Sequence, residues 1–295
     1  MSSVAVVETR DRVLIGIVLT SVAYILFSVQ DASIKLLVTS FTVWQILFTR
    51  SATILLGCAL IGGPGLLLDA ARSPIFKPML GRSFLILGAW LSYYTAAKHL
   101  QLAELTTIYF AAPVIITILS IFVLGEKVPL IRWISVIVGF VGVFIACDPT
   151  ELGLTLPVAL VLAAAFLWAL SIVFLRKIAL KERTLIQLVL NNGFFLVVAG
   201  VPMLAWWQTP SAPDLLLAIG VGVIGGVGQY ALFEGMKRAP ASVIAPFEYT
   251  SLVWAFLLGF LIWGDIPRPE VFVGAALIFA AGVIIIAGER HWVRS

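Results

Sequence analysis

Polar side chains recur at helical spacing inside segments of this chain that are otherwise apolar. Tyr24, Ser28, Asp31 and Lys35 occupy positions i, i+4, i+7 and i+11, which places them on one face of a helix. Hydroxyl and amide groups on such a face can hold a small polar solute by hydrogen bonds. The stripe therefore indicates binding of a small molecule.

Aromatic residues strengthen this interpretation. All six tyrosines fall inside apolar segments, where a buried hydroxyl needs a hydrogen-bond partner that lipid does not supply. A water-filled central cavity would satisfy many of them at once, and hydrogen bonds between packed helices are the alternative for each one. We predict that the substrate cavity is bordered by Tyr24, Ser28, Gln45, Trp90, Tyr94, Trp168, Asn192 and Gln229.

Two charged residues lie deep in apolar segments. A charge at the centre of a membrane helix costs about 2.5–3.5 kcal/mol on insertion scales, so Arg50 and Glu248 are expected to face the helix bundle or the cavity and to find partners there. A static bond to backbone carbonyls is the alternative for each. Arg50 is the one basic residue that this interpretation places inside the membrane, so the phosphates of a nucleotide sugar would lack partners. A small zwitterion fits better.

Catalytic and metal-binding motifs are absent from the sequence. The two histidines, His99 and His291, lie at segment ends, and no His-Glu-x-x-His, Gly-x-Ser-x-Gly or Walker lysine motif occurs. Cys58 and Cys147 lie inside apolar segments, as buried small hydrophobic residues do. We expect no enzyme activity, no metal and no cofactor. A membrane enzyme and a lipid flippase remain the alternatives from other classes.

Membrane-spanning helices must position these residues. The chain is 61% hydrophobic and 12% charged, with a mean hydropathy of +1.11, and crossing a bilayer takes about 20 apolar residues. We predict an all-α integral membrane protein in which residues 62–82 form the longest loop. Its ten transmembrane helices are expected at residues 13–35, 40–61, 83–100, 104–124, 131–147, 155–176, 184–206, 214–236, 241–263 and 270–288.

The apolar segments form a five-helix pattern that occurs twice. Lys35 aligns with Lys177 and Gln45 with Gln187 at an offset of 142, while Leu119 aligns with Leu258 at an offset of 139. A repeat with an odd number of spans inserts its second copy upside down, which is one way to build alternating access around a midplane site. We therefore predict two inverted five-helix repeats, residues 1–150 and 151–295, that form one membrane domain.

Basic residues fix the orientation of the predicted spans. Of the 19 lysines and arginines, 15 fall on the side of the N-terminus, among them Arg72, Lys77 and Arg82. Lys35, Lys98 and Arg268 fall on the opposite side. By the positive-inside rule both termini are then cytoplasmic.

Paired motifs at the ends of the repeats resemble the drug/metabolite transporter superfamily, in particular its EamA-type members. The first copy runs from Ala111-Ala112-Pro113 to Leu124-Gly125-Glu126, and the second from Ala245-Pro246 to Trp263-Gly264-Asp265. The resemblance covers residues 13–288. It implies ten helices in a bacterial inner membrane and alternating-access export of small metabolites. It points to amino acids, aromatic or other apolar ones among them, as for amino-acid exporters of the YddG kind. Another small metabolite or drug is the alternative substrate. The partners it implies are that small molecule and the lipid bilayer, with no nucleic acid, and a monomer is expected.

The same motifs also predict local structure. Glycine suits a helix C-terminus and a following acid can cap the next helix, so Gly125-Glu126 and Gly264-Asp265 are expected to close spans four and nine. At Pro113 the missing N–H frees a carbonyl and can bend the fourth span.

Overall fold

The computed structural model of this chain describes residues 2–124, 130–147, 155–178, 182–238, 248 and 250–292. Within those ranges all regular structure is helical and no strand occurs. The helices are α1 (Ser2–Leu37), α2 (Val43–Gly62), α3 (Leu66–Arg72), α4 (Phe76–Ala96), α5 (Leu102–Tyr109), α6 (Ala111–Leu124), α7 (Leu130–Cys147), α8 (Leu156–Ile178), α9 (Thr184–Ala205), α10 (Ala212–Arg238), α11 (Thr250–Trp263) and α12 (Pro269–Trp292).

Several of these helices match the thickness of a bilayer. In the described part of the chain, six are long and apolar enough to cross a membrane, namely Leu14–Leu37, Val43–Gly62, Glu104–Val123, Leu156–Leu175, Thr184–Ala205 and Ala212–Arg238. Shorter apolar helices cover Trp133–Gly142, Trp254–Trp263 and Pro269–Ala281. The prediction of an all-α, multi-pass membrane protein is confirmed. The count of ten spans and the inversion of the repeats stay predictions.

The predicted loop at 62–82 is wrong. The short helix α3 occupies its first half, and α4 begins at Phe76, seven residues before the predicted start of the third span. Pro78, inside the predicted loop, lies in the first turn of α4, where a backbone N–H has no partner inside the helix. Because α4 begins earlier than predicted, Arg82 belongs to this helix, and it lines the cavity described below.

The fourth predicted span, 104–124, is interrupted. α5 ends at Tyr109 and α6 begins at Ala111, with Phe110 between them. Because Pro113 has no N–H, it cannot donate to the carbonyl of Tyr109 four residues earlier. The interruption sets Tyr109 and Phe110 beside the cavity described below.

The N-terminal and C-terminal parts of the chain interleave. α1 packs mainly along α10 and α4 along α8, while α2 packs along α9 and α7 along α12. Each of these long helices therefore packs one of its faces against a helix from the other part, and the space left between the two parts is shared.

Glycine permits the closest of these contacts. A Cβ atom on Gly222 of α10 would lie 2.5 Å from the Cβ of Thr53 in α2, and one on Gly142 of α7 would lie 2.7 Å from the carbonyl oxygen of Gly274 in α12. Real Cβ atoms cannot approach so closely. Small residues at helix interfaces let two backbones come together.

We predict that Gly222→Ala destabilises the protein by about 1–3 kcal/mol, since the methyl group overpacks the interface between α10 and α2. Gly220→Ala in the same helix is the matched control, because its Cβ would meet no atom within 4 Å. Thermal unfolding of the purified proteins in detergent measures the difference. Equal unfolding temperatures for the two variants would contradict the proposed packing.

Ion pairs and a left-handed glycine mark the ends of α10 and α11. Glu234 pairs with Lys237 at 3.2 Å and with Arg238, at spacings of i, i+3 and i, i+4 near the end of α10. Gly264 has φ +68° at the end of α11, as a helix-closing glycine does. Asp265 makes an ion pair with Lys35 at 3.3 Å and does not cap α12, which begins four residues later. Gly125-Glu126 and Pro246 lie outside the described residues.

Candidate substrate cavity

A cavity lies between the two interleaved parts of the chain. Its wall takes residues from α1, α2, α4, α5, α8, α9, α10 and α11, so both parts contribute to it. Small-molecule sites are concave, largely apolar spaces with a few polar groups directed inward. Among the predicted site residues it is lined by Tyr24, Ser28, Arg50, Trp90, Tyr94, Trp168, Gln229 and Glu248.

Arg50 lies on the face of Trp90. Its guanidinium carbon is 4.1 Å from the centre of the Trp90 ring, and its Nε donates to Gln30 Oε1 at 3.2 Å. The residue is 1% exposed. Within the described residues, its Nη1 has no hydrogen-bond partner and no carboxylate lies within ion-pair distance of it. The stacking contact stabilises a buried cation without neutralising it.

Arg82 is a second guanidinium on the cavity wall, and it lies in α4 and not in the predicted loop. The residue is 2% exposed, because α4 begins early enough to bury it in its second turn. Its Nε donates to the Ser171 carbonyl at 3.2 Å, and the group lies 5.4 Å from the centre of the Phe233 ring. The cavity therefore offers two guanidinium groups to an anionic substrate, where the sequence predicted Arg50 alone.

Two carboxylates balance these charges, and each contacts a tyrosine. Tyr24 donates to Glu248 Oε2 at 3.3 Å, which joins α1 to a residue two positions before α11. Tyr93 donates to Asp31 Oδ2 at 3.5 Å, which joins α4 to α1. All four residues line the cavity. The cavity can thus present acceptors to a cationic group and donors to an oxygen-rich one.

Aromatic rings form much of the remaining wall. Trp90 and Tyr94 lie nearly parallel, with an interplanar angle of 19° and centroids 6.4 Å apart. Tyr109 meets the edge of Tyr93 with centroids 5.1 Å apart. Such surfaces accommodate a flat apolar ring by stacking or by edge contacts.

Gln45 and Asn192 were predicted to border the cavity, but they are absent from the wall that the structure describes. Gln45 belongs to the capping box of α2 with Thr42, and its amide contacts the backbone of Gln208 at 2.7 and 3.1 Å. Asn192 donates to Gln229 Oε1 at 3.2 Å and so lies behind a residue that does reach the cavity. In both cases local hydrogen bonds use the amide that the prediction assigned to substrate.

Sequence reasoning did not assign several residues of the wall to the site. Asp31 and Tyr93 carried a signal, because Asp31 lies on the polar stripe of α1 and Tyr93 is an intramembrane tyrosine. Asn191 accepts from Ser83 at 3.2 Å at the cavity wall. Arg82 carried no such signal, since its position relative to the membrane depended on where α4 begins.

Metal chemistry finds no support in the described part of the chain. No group of three or more His, Cys, Asp or Glu residues there could hold a metal ion. The described cavity offers hydrogen bonds, charges and aromatic surfaces.

Comparison with known proteins agrees with this architecture. The model of the EamA-like transporter family matches twice, at residues 14–147 and 155–287. The chain belongs to the EamA-like transporter family. Its members are transporters rather than enzymes, and the two matches correspond to two copies of one family domain in the transporter.

Individual relatives are similar over much of the transporter. An uncharacterized transporter of Helicobacter pylori (strain J99 / ATCC 700824) is 28% identical over 286 residues, which cover 94% of this chain and 96% of the relative. The riboflavin transporter of Vibrio cholerae is 29% identical and covers 76% of this chain and 74% of its own length. The S-adenosylmethionine uptake transporter of Rickettsia bellii is 28% identical over 65% of this chain and 67% of its own length.

A solved crystal structure shares the fold of the transporter. It superposes with a TM-score of 0.68 at 20% sequence identity, over 96% of this chain and 99% of that chain.

We predict that Gln45→Ala destabilises the transporter without changing its KM. Loss of the cap and of the contacts with Gln208 should cost about 1–2 kcal/mol, since Gln45 holds the start of α2 and lies off the cavity wall. Thermal unfolding and flux in sealed vesicles measure the two effects. An altered KM at an unchanged unfolding temperature would return Gln45 to the substrate site.

Proposed function

We propose that this chain carries a small metabolite with a flat aromatic or heterocyclic ring across a bacterial inner membrane by alternating access. The observation that supports this most is the cavity itself. In an otherwise apolar bundle it collects two arginines, two carboxylates and an aromatic wall, between the two parts of the chain. Charges inside a membrane protein are costly and usually serve a pathway. Because one chain supplies the whole described wall, a monomer suffices.

The packing of the helices supports an inverted repeat of ten spans. The sequence alignment makes α1 equivalent to α8 and α4 equivalent to α10. A two-fold relation between the repeats then turns the contact of α1 with α10 into the contact of α8 with α4. The same relation pairs α2 with α9 and α7 with α12, and each of these pairs of equivalent helices is in contact. Because each repeat has five spans, the second is inverted. We propose repeats at 1–150 and 151–295 with both termini cytoplasmic.

Two ion pairs support closure of the cavity at the end of α1 that contains Lys35. Lys35 pairs with Asp265 at 3.3 Å, and Glu104 pairs with Arg268 at 3.3 Å. Each pair joins a helix of the first repeat to the segment between α11 and α12. In our proposal these pairs hold the halves together on the outer side and separate when the cavity opens outward.

The substrate class follows from the charges and from the relatives. Riboflavin and S-adenosylmethionine, named for two relatives, each combine a heterocycle with polar groups, and the word uptake in the second name favours import. The predicted amino-acid export finds no support in these names. Amino acids stay the second candidate, because a carboxylate and an ammonium group could pair with Arg50 and Asp31.

Flux measurements test the proposed function. Purified protein in sealed vesicles should exchange at least one labelled solute from a panel of riboflavin, S-adenosylmethionine and the common amino acids, without forming any product. Tyr94→Ala and Trp168→Ala should each lower that flux at least tenfold, because both rings line the cavity. Phe122→Ala is the matched aromatic control, since Phe122 is 79% exposed on α6. Flux equal to the control in both variants would contradict the assignment of the cavity.

Cysteine labelling tests the inverted repeat. Glu126 and Asp265 are equivalent at the offset of 139, and the proposed orientation places Glu126 inside and Asp265 outside. Single cysteines at these positions should react with membrane-impermeant reagents from opposite faces of intact cells. Reaction of both from the same face would end the inverted-repeat proposal.

A further inference from the structure

The unpaired edge of Arg50 is the strongest indication of a ligand in this structure. Gln30 occupies Nε and the Trp90 ring covers one face, while Nη1 is buried and has no partner among the described residues. Buried donors are nearly always hydrogen-bonded, and a charged donor left without a partner costs more than a neutral one. Arg50 lines the cavity, so a substrate group there can reach it.

The other half of the molecule shows that packing does not require a charge at this place. At the offset of 142, Arg50 is equivalent to Asn192, and at the offset of 139, Trp90 is equivalent to Gln229. Asn192 and Gln229 join α9 to α10 by a neutral hydrogen bond of 3.2 Å. At these positions the first repeat has the Arg50 guanidinium stacked on the Trp90 indole, whereas the second repeat has two side-chain amides that bond to each other. A structural contact between these helices is therefore possible without the guanidinium.

Neighbouring residues hold the guanidinium in one orientation. A Cβ atom on Gly225 would lie 2.0 Å from Gln30 Oε1 and 3.0 Å from Arg50 Nε. Glycine at this position thus makes room for the pair of Gln30 and Arg50, whose hydrogen bond directs the remaining edge of the guanidinium. A fixed planar donor suits recognition of a planar acceptor.

The charges around the group define what it can accept. Asp31 of α1 lines the same cavity and contacts Tyr93, but it does not form an ion pair with Arg50. Arg82 lies eight residues before Trp90, about 12 Å along α4. An acceptor at Arg50 therefore meets one guanidinium, and the rest of an elongated molecule can extend along the aromatic wall toward Arg82.

We propose that Nη1 of Arg50 binds an oxygen acceptor of the substrate, while the attached ring lies against Tyr94 and Tyr109. The acceptor is either a carboxylate or a ring carbonyl, which share the planar oxygen that a guanidinium recognises. This inference rests on the proposed function, because it names the chemistry of the substrate that the cavity takes.

The test is a binding measurement on purified protein in detergent. The probes are riboflavin, which carries ring carbonyls, S-adenosylmethionine and L-tryptophan, which carry carboxylates, and L-tryptophanamide, which lacks one. The double variant Arg50→Asn with Trp90→Gln places the neutral pair of the second repeat in the first and is chosen to fold. Arg50→Lys keeps the charge and removes the planar fork. Lys98→Gln, which removes an exposed positive charge outside the cavity, is the control.

We expect the native protein and Lys98→Gln to bind at least one acceptor-bearing probe equally well, and both Arg50 variants to bind it about ten- to a hundredfold more weakly, the range of a charge-assisted hydrogen bond. Tight binding of tryptophan or S-adenosylmethionine, with tryptophanamide weaker by the same factor as the variants, identifies a carboxylate. Loss of riboflavin binding alone identifies a ring carbonyl.

Native affinity for every probe in a folded Arg50 variant would overturn the inference, as would failure of the native protein to bind any of the four probes. If the double variant does not fold, Arg50→Lys decides between the same outcomes. Flux in vesicles is measured separately. Binding that depends on Arg50 without any flux would refute the proposed function and leave the subsite standing.

Discussion

A cation in a hydrocarbon environment must be stabilised by the protein that surrounds it, and Arg50 meets this constraint by stacking on Trp90 at 4.1 Å and bonding to Gln30. The hydrocarbon core of a bilayer offers it neither water nor an anion. The same constraint governs Arg82, Asp31 and Glu248. Because none of these groups can face lipid, their helices turn them toward one shared space. The cavity is thus a consequence of placing charges in an apolar bundle, and the interleaved helices enclose it.

The two halves share a scaffold but differ at the cavity. Their helices pack in exchangeable pairs, which is the arrangement that lets a transporter take two related conformations. At equivalent positions, however, Tyr109 corresponds to Glu248, and Arg50 corresponds to Asn192. Symmetry therefore describes the helices, whereas the side chains on the wall are specific to each half. An asymmetric substrate would require such a difference.

Much of the architecture could be predicted from the sequence, because apolar length and periodicity report directly on burial in a membrane. The limits of α8 and α9 agree with the predicted spans to within two residues. The third span could not be predicted as well, since Pro78 is compatible both with a loop and with the first turn of a helix. For this reason the sequence did not show that Arg82 lies within α4. Gln45 and Asn192 are recognisable from the sequence as polar residues. The sequence does not show that their amides form hydrogen bonds with Gln208 and Gln229 and so are not directed at a substrate.

The central claim is that one cavity serves both faces of the membrane in turn. Ser28 lies on its wall, so a single cysteine at this position, in a chain whose two native cysteines are replaced, reports access to the cavity. Our account predicts that Ser28→Cys reacts with a membrane-impermeant thiol reagent supplied from either face, and that a transported solute slows both reactions. Reaction from one face alone, with or without solute, would contradict it.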